Sequence, residues 1–521
     1  MTADARPAQP AGAVPPPASP PPAGRLARHT GWNLVGVLLP LAVGLLTIPV
    51  LTRELGPVRF GLLGIAWALL EYLFVADAGL SRAVVHHVAR RLRAGAPVDG
   101  EVIGAALLAQ AALGSLAALL VALAAPWLVE RVLDLPAALH AEARDTVRIL
   151  VLVTPFALVA LALRGVLEAA ERFDVATALR VPASAATFVV PAVAVLLGAT
   201  LPQIMAALLA VRVLTCAASW VVVRRVLPDV RPAWPRSWAP LRGLVAFGGW
   251  IALSNLLSPV FLLFDRLALG ALAGAAAVGF YTAPYEAAAR LLVLPAALVA
   301  AFFPRASAVA GTADRGALAA LFGVALRPLL ALLVPLTLAG AILAGPLLHA
   351  WLGAEYAERG VVALRLLLAG VAVNALAHVP SAFLQAAGRP EIGARFHVAE
   401  LAVHVPVTIV LVSRWGATGA AAAWALRATL DAALLFAASR RVLGVGVGAG
   451  LAAGRWWRYA LLLGGLAVAL LGVRGAVDAG WSLALAAVAT VVTGAAALAV
   501  GWRIVLADDD RLALRAALRR G

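Results

Sequence analysis

Long apolar blocks separated by short polar turns set the pattern of this chain, and the stretch from Asn33 to Arg82 shows it first. There, two apolar runs flank the turn Arg53-Glu54-Leu55-Gly56-Pro57-Val58-Arg59. Each run has about twenty residues, long enough to cross a bilayer core of roughly 30 Å as a helix. The same alternation continues along the chain and predicts fourteen spans. They lie near 31–52, 60–80, 102–125, 146–168, 175–198, 202–224, 243–264, 278–303, 317–345, 360–386, 391–413, 416–439, 458–473 and 481–506. Proline and glycine occur inside several of them, which helix bundles in lipid tolerate because neighbours re-satisfy the freed backbone groups. The pattern predicts an all-α integral membrane protein.

Composition agrees: 63% of the 521 residues are hydrophobic, 13% are charged, and the mean hydropathy is +0.96. Every basic residue other than histidine is arginine. The net charge of +16 would suit a nucleic-acid binder, but the arginines are scattered in short segments between apolar runs. Positive flanks on the cytoplasmic side of membrane helices account for them and place both termini inside. The single cysteine, Cys216, excludes an intrachain disulfide and a thiolate metal cluster. No phosphate-cradling glycine loop with lysine occurs, so ATP hydrolysis is not expected, nor is any enzyme activity or cofactor. Residues 1–28 form a Pro/Ala-rich tail, expected to be disordered and cytoplasmic.

An internal repeat divides the chain. Gly198-Ala199-Thr200 recurs as Gly416-Ala417-Thr418, and Arg224-Arg225-Val226-Leu227 as Arg440-Arg441-Val442-Leu443. Arg212 aligns with Arg427, Leu167–Arg172 resembles Leu384–Arg389, and Arg53 before Gly56 matches Arg266 before Gly270. Six spans in each repeat give both halves one orientation, a parallel repeat about an axis along the membrane normal. The expected division is an N-lobe at 29–227, a cytoplasmic linker at 228–242, a C-lobe at 243–445, two further spans in 446–507 and a basic tail at 508–521.

The residues Asn33, Pro40, Pro49, Arg53-Glu54-Leu55-Gly56 and Phe60-Gly61, followed by Asp77-Ala78-Gly79-Leu80, resemble the opening of polysaccharide-biosynthesis flippases. Phe247-Gly248, Asp265-Arg266, Gly270 and Val278-Gly279-Phe280-Tyr281 resemble the matching start of the second half. These flippases belong to the multidrug/oligosaccharidyl-lipid/polysaccharide exporter superfamily. The resemblance covers roughly 30–445 and implies two six-helix lobes around a cavity that opens alternately to either side. It also implies movement of an undecaprenyl-pyrophosphate-linked oligosaccharide across the bacterial inner membrane. A polysaccharide polymerase and glycosyltransferases are the partners it suggests. Three other readings stay open: a cation-coupled drug exporter of the same superfamily, a polysaccharide polymerase or ligase, and a non-transporting scaffold.

A pyrophosphate-linked substrate requires cations in a water-filled cavity, because polar groups inside a membrane are costly and tend to be functional. Arg212, Arg427, Arg290 and Arg164 are the candidate substrate-binding residues. Glu286 precedes Arg290 by four residues and Asp431 follows Arg427 by four, spacings that also suit helix-surface pairs. His397, Glu400 and His404 share a helical face and are candidate cavity or coupling groups, with Asn33 and Asn255 as further polar candidates. No metal site is expected from this spacing. Asp265 and Arg266 are expected to anchor the outer end of the seventh span, Asp77 to cap the second, and Glu71 to be paired or protonated.

Overall fold

A computed structural model describes residues 23–77, 80–94, 96–228, 260–261, 263–310, 314–446, 448 and 456–505. The described residues form helices joined by short turns and loops, with no strand among them. Helix α1 runs from Ala23 to Leu73, starting ahead of the predicted span because Ala, Arg and Leu are strong helix formers. Straight, its 51 residues would reach about 75 Å, more than twice a bilayer core. Gly56, at φ 68° and ψ 172°, breaks it. The two arms run back along each other, because Gly44 on one and Trp67 on the other both pack on Phe188.

The chain continues through α2 (Leu80–Arg93), α3 (Gly100–Trp127), α4 (His140–Val151), α5 (Val153–Ala169), α6 (Phe173–Leu196) and α7 (Leu201–Val226). After a helical stretch at 263–272 come α8 (Gly274–Ala289), α9 (Val293–Ala310), α10 (Arg315–Ile342), α11 (Ala344–Leu352) and α12 (Ala354–Ala386). Helix α13 (Glu391–Leu443) is broken at Gly416, at φ 51° and ψ −127°. Its arms fold back so tightly that a Cβ on Gly419 would stand 2.0 Å from the Leu411 carbonyl oxygen. Last come α14 (Trp456–Asp478) and α15 (Leu483–Val505), packed on α10 through Leu466, Leu470 and the Tyr459 hydroxyl, which donates to Leu330 O.

Apart from the seventh, every predicted span lies on helix, to within a few residues at its ends. Most of the seventh, with Asn255, lies outside the described residues. Among the described residues, ten helical segments are long and apolar enough to cross a membrane, one of them the folded-back α13. The chain is a multi-pass membrane protein.

The repeat has a structural counterpart at two turns. After α5, Arg172 N bonds Leu167 O and Glu171 N bonds Glu168 O; after α12, Arg389 N bonds Leu384 O and Gly388 N bonds Gln385 O. Both turns use a left-handed residue, Glu171 at φ 58° and Gly388 at φ 74°. Each is followed by a local ion pair, Arg172–Asp174 and Arg389–Glu391.

Apolar packing forks. One cluster takes residues from both lobes near the Gly56, Gly198, Gly353 and Gly416 turns. Towards the opposite end it gives way to two separate clusters, one around Val84, Leu163 and Val166 and one around Phe322, Leu326 and Phe383. The lobes join where the cluster is shared, and they do so backbone to backbone. A Cβ on Gly61 would stand 1.8 Å from Ala275 O, and one on Gly279 2.4 Å from Pro57 O. Only glycine permits that approach.

The Gly61→Val variant should therefore force α1 and α8 apart, at an overpacking cost of roughly 1–3 kcal/mol. Thermal unfolding in detergent should show a lowered midpoint. The Gly464→Ala variant, with open space around its Cβ, should leave the midpoint unchanged or slightly raised.

Candidate functional site

A cavity of about 390 Å³ begins where the fork opens. Among the described residues its walls include Trp67, Leu70 and Glu71 on α1 with Phe74 just after it; Arg180, Ser184 and Thr187 on α6; Arg212 on α7; and Glu286 with Arg290 at the end of α8. These described wall residues include three arginines and two carboxylates. Arg212 Nη2 donates to Thr187 Oγ1 at 2.9 Å. The Arg290 guanidinium lies 4.9 Å from the centre of the Phe188 ring, and its Nη2 donates to Glu286 Oε2 at 2.7 Å. Glu71 is exposed to the cavity.

Behind this wall lies Arg266, 1% exposed. Its Nη1 donates to Gly64 O of the other lobe at 2.7 Å, its Nη2 to Glu286 Oε1 at 3.1 Å, and its guanidinium faces the Tyr285 ring at 5.5 Å. A smaller recess of about 90 Å³ adjoins the cavity and shares Phe74, Arg180, Ser184 and Arg212 with it. It adds Arg164, Thr215 and Ser219, residues closer to the end where the lobes have separate cores. Arg164 is paired with Glu168 at 3.2 Å. Just beyond, Asp77 accepts hydrogen bonds from Ser81 N, the Ser81 hydroxyl and Gln110 Nε2, so it caps the start of α2 rather than the end of the second span.

A second polar cluster is enclosed in the C-lobe. Asp265 Oδ1 is 2.8 Å from His404 Nε2, with both side chains essentially buried. Ligand atoms of His397, Glu400 and Asp431 lie within 4.8 Å of one another. Arg427 Nη1 stands 3.5 Å from Glu400 Oε2, and its guanidinium lies 4.5 Å from the Phe261 ring centre. Three N/O donors with two carboxylates among them suit a proton or a small monovalent cation. The arginine beside Glu400 already supplies positive charge and disfavours a divalent metal.

The profile of a family described as "Polysaccharide biosynthesis protein" matches residues 26–309, more than half of the chain. The chain belongs to that family. The MatE profile matches residues 251–410. A Shigella flexneri relative of the family, named "Putative O-antigen transporter", is 29% identical over 411 residues, 79% of this chain and 96% of that protein. Two solved structures have the same fold. The lipid II flippase MurJ in an inward closed conformation aligns with a TM-score of 0.68 at 10% identity, over 90% of this chain and 98% of that one. A multidrug resistance MATE family transporter in an inward-facing conformation aligns with a TM-score of 0.67 at 18% identity, over 79% of this chain and 98% of that one.

Of the residues singled out in the sequence of this family member, Arg212, Arg290 and Glu286 come together on the cavity wall, and Arg164 lines the recess. Arg427 does not join them. It turns inward to Glu400 rather than to Asp431, in a cluster that includes His397. His404 pairs with Asp265 instead. The backbone of Asn33 is helical, while its side chain and Asn255 fall outside the described residues. Asp265 and Arg266 are not interfacial anchors: at 0% and 1% exposure they are interior groups, held by partners on distant spans. Arg180 was overlooked. Its stripe with Ser184 and Thr187, at steps of four and three, marks one polar face of an otherwise apolar helix.

Removing one partner of the buried Asp265–His404 pair strands the other. His404→Ala should cost roughly 3 kcal/mol of stability, and His404→Gln, which can still donate to the carboxylate, should recover part of it. Chemical denaturation in detergent measures both.

Proposed function

We infer that this protein carries a lipid-linked, diphosphate-bearing oligosaccharide from the inner to the outer leaflet of the bacterial cytoplasmic membrane, for surface polysaccharide synthesis. The observation that carries the reading is the run of arginines on the cavity and recess walls, Arg164, Arg180, Arg212 and Arg290. Arg180 and Arg212 belong to both spaces and stand beside hydroxyls that accept or donate hydrogen bonds, a setting suited to phosphate oxygens. The larger cavity, with Glu71 as an acceptor and Trp67 and Phe188 as flat apolar surfaces, suits a sugar. A volume of about 390 Å³ takes a diphosphate with a sugar or two, and the prenyl chain stays in lipid.

The relative named as an O-antigen transporter supports this substrate class, as does the likeness in fold to a lipid II flippase. The shared core at the Gly56 end and the split cores at the other describe an inward-facing state, once the arginine-rich turns are taken as cytoplasmic. Both termini then lie in the cytoplasm. Alternating access follows as closure of the split end and parting of the Gly61–Gly279 seam. The His397–Glu400–Asp431 cluster, away from the cavity and partly screened by Arg427, is the place for a coupling proton or cation.

A drug-exporter reading draws on the MatE match over 251–410 and on the two cavity carboxylates. It is the weaker one, because Glu286 is engaged by two arginines and the walls keep a positive excess.

Depletion of the protein in its host should make lipid-linked glycan accumulate in the inner leaflet. Polymer of altered length without that accumulation would point to a polymerase instead. Arg212→Ala should cut transport at least tenfold, the usual scale for losing a charge-assisted contact, while leaving the amount of membrane-inserted protein unchanged.

A further inference from the structure

Glu286 stands between two arginines of unequal accessibility. Arg266 is 1% exposed and fixed, because a second nitrogen donates to Gly64 O across the lobe seam. Arg290 has a quarter of its side chain exposed and faces the cavity. A ligand can therefore compete for one of the two bonds and cannot reach the other. A diphosphate offers Arg290 several charged oxygens in a geometry that a guanidinium grips bidentately, where Glu286 offers it one oxygen. Glu286 can yield Arg290 without being stranded, because Arg266 remains its counter-ion at 3.1 Å. A carboxylate left on the wall would repel the incoming phosphate; one drawn back to Arg266 would repel it less.

We propose that Glu286 is the resident counter-ion of Arg290, displaced onto Arg266 when the diphosphate of the ligand binds, so that cavity occupancy is transmitted to the lobe seam through the Arg266–Gly64 bond. The identity of the ligand rests on the flippase reading above. Competition from Glu286 holds affinity down in the state seen here. When Glu286 gives up Arg290 and rests on Arg266 alone, the change reaches Gly64, where α1 and α8 meet, next to the residues that must separate for outward opening. Glu286 is in this sense a positioning residue: it acts on the ligand through Arg290.

The test uses the full chain purified in detergent and inorganic pyrophosphate as the probe, titrated by calorimetry. E286Q should bind pyrophosphate roughly tenfold more tightly than the unaltered protein, the gain expected when one charge-assisted competitor is removed. The gain should vanish when E286Q is combined with R290A. In cells, E286Q should move glycan more slowly despite tighter binding, a split that a purely structural role would not produce. Should E286Q fail to fold, E286D keeps the charge beside Arg266 while reaching less far, and should tighten binding to a smaller extent. Unchanged or weaker affinity in the folded variants, or a gain that survives R290A, would overturn the exchange. The calorimetric result judges the exchange alone; the depletion experiment judges the flippase reading, so the two can fail separately.

Discussion

A guanidinium with almost no access to solvent must find acceptors within the protein, and Arg266 draws its own from both lobes. Gly64 on α1 gives a carbonyl, Glu286 gives a carboxylate, and Tyr285 gives the face of its ring. With Gly64 of α1 at one nitrogen and Glu286 of α8 at the other, Arg266 ties the two helices together where they approach too closely for side chains to intervene. A Cβ on Gly64 itself would stand 2.5 Å from Thr282 Oγ1. The glycines at 61, 64 and 279 are thus a consequence of the same contact. So is the position of the cavity, which starts at Trp67, one helical turn past the last tight approach.

The repeat keeps backbone geometry and lets chemistry diverge. The turns after α5 and α12 share their hydrogen bonds and a following ion pair, and a left-handed glutamate, Glu171, occupies the place of Gly388. Charged positions do not follow suit. Arg53 is exposed whereas its counterpart Arg266 is among the most buried side chains. Arg212 faces the cavity from a hydroxyl partner, whereas Arg427 is held inside the C-lobe by Glu400 and Phe261. Duplicated folds supply equivalent positions; the neighbours at each position decide what a charge there can do.

This divergence marks how far the sequence could be read. The all-helical membrane fold, the breaks at Gly56 and Gly416 and the repeat follow from block length and turn residues, which are local properties. Arg212, Arg290 and Glu286 were legible for a related reason, being polar groups deep in apolar runs. Arg427 met the same criterion and differs only because Glu400, on the other arm of α13, reaches it. Asp265 looked interfacial because it lies near the end of a hydrophobic block, and only its pairing with His404, 139 residues away, makes it interior. Such long-range pairings leave no periodic trace. Arg180 is different: its stripe with Ser184 and Thr187 was present in the sequence and could have been found by asking which helix faces are polar along their whole length.

What makes an arginine available to a ligand is the neutrality of its partner. Arg212 rests on a threonine hydroxyl, which leaves its charge intact, whereas Arg290 lies over the Phe188 ring and shares its carboxylate, Glu286, with Arg266. Arg427 has a carboxylate at its side and Arg266 has a carboxylate and a carbonyl, so neither has charge to spare. The uncommitted positive charge therefore collects on the walls contributed by α6 and α7, all in the N-lobe, with Arg290 opposite them at the seam. An anion bound there is gripped by one lobe, and among the described residues the cation the other lobe offers it is Arg290. On the proposed mechanism that contact is where ligand binding acts on the relative position of the lobes, and Glu286 already occupies it.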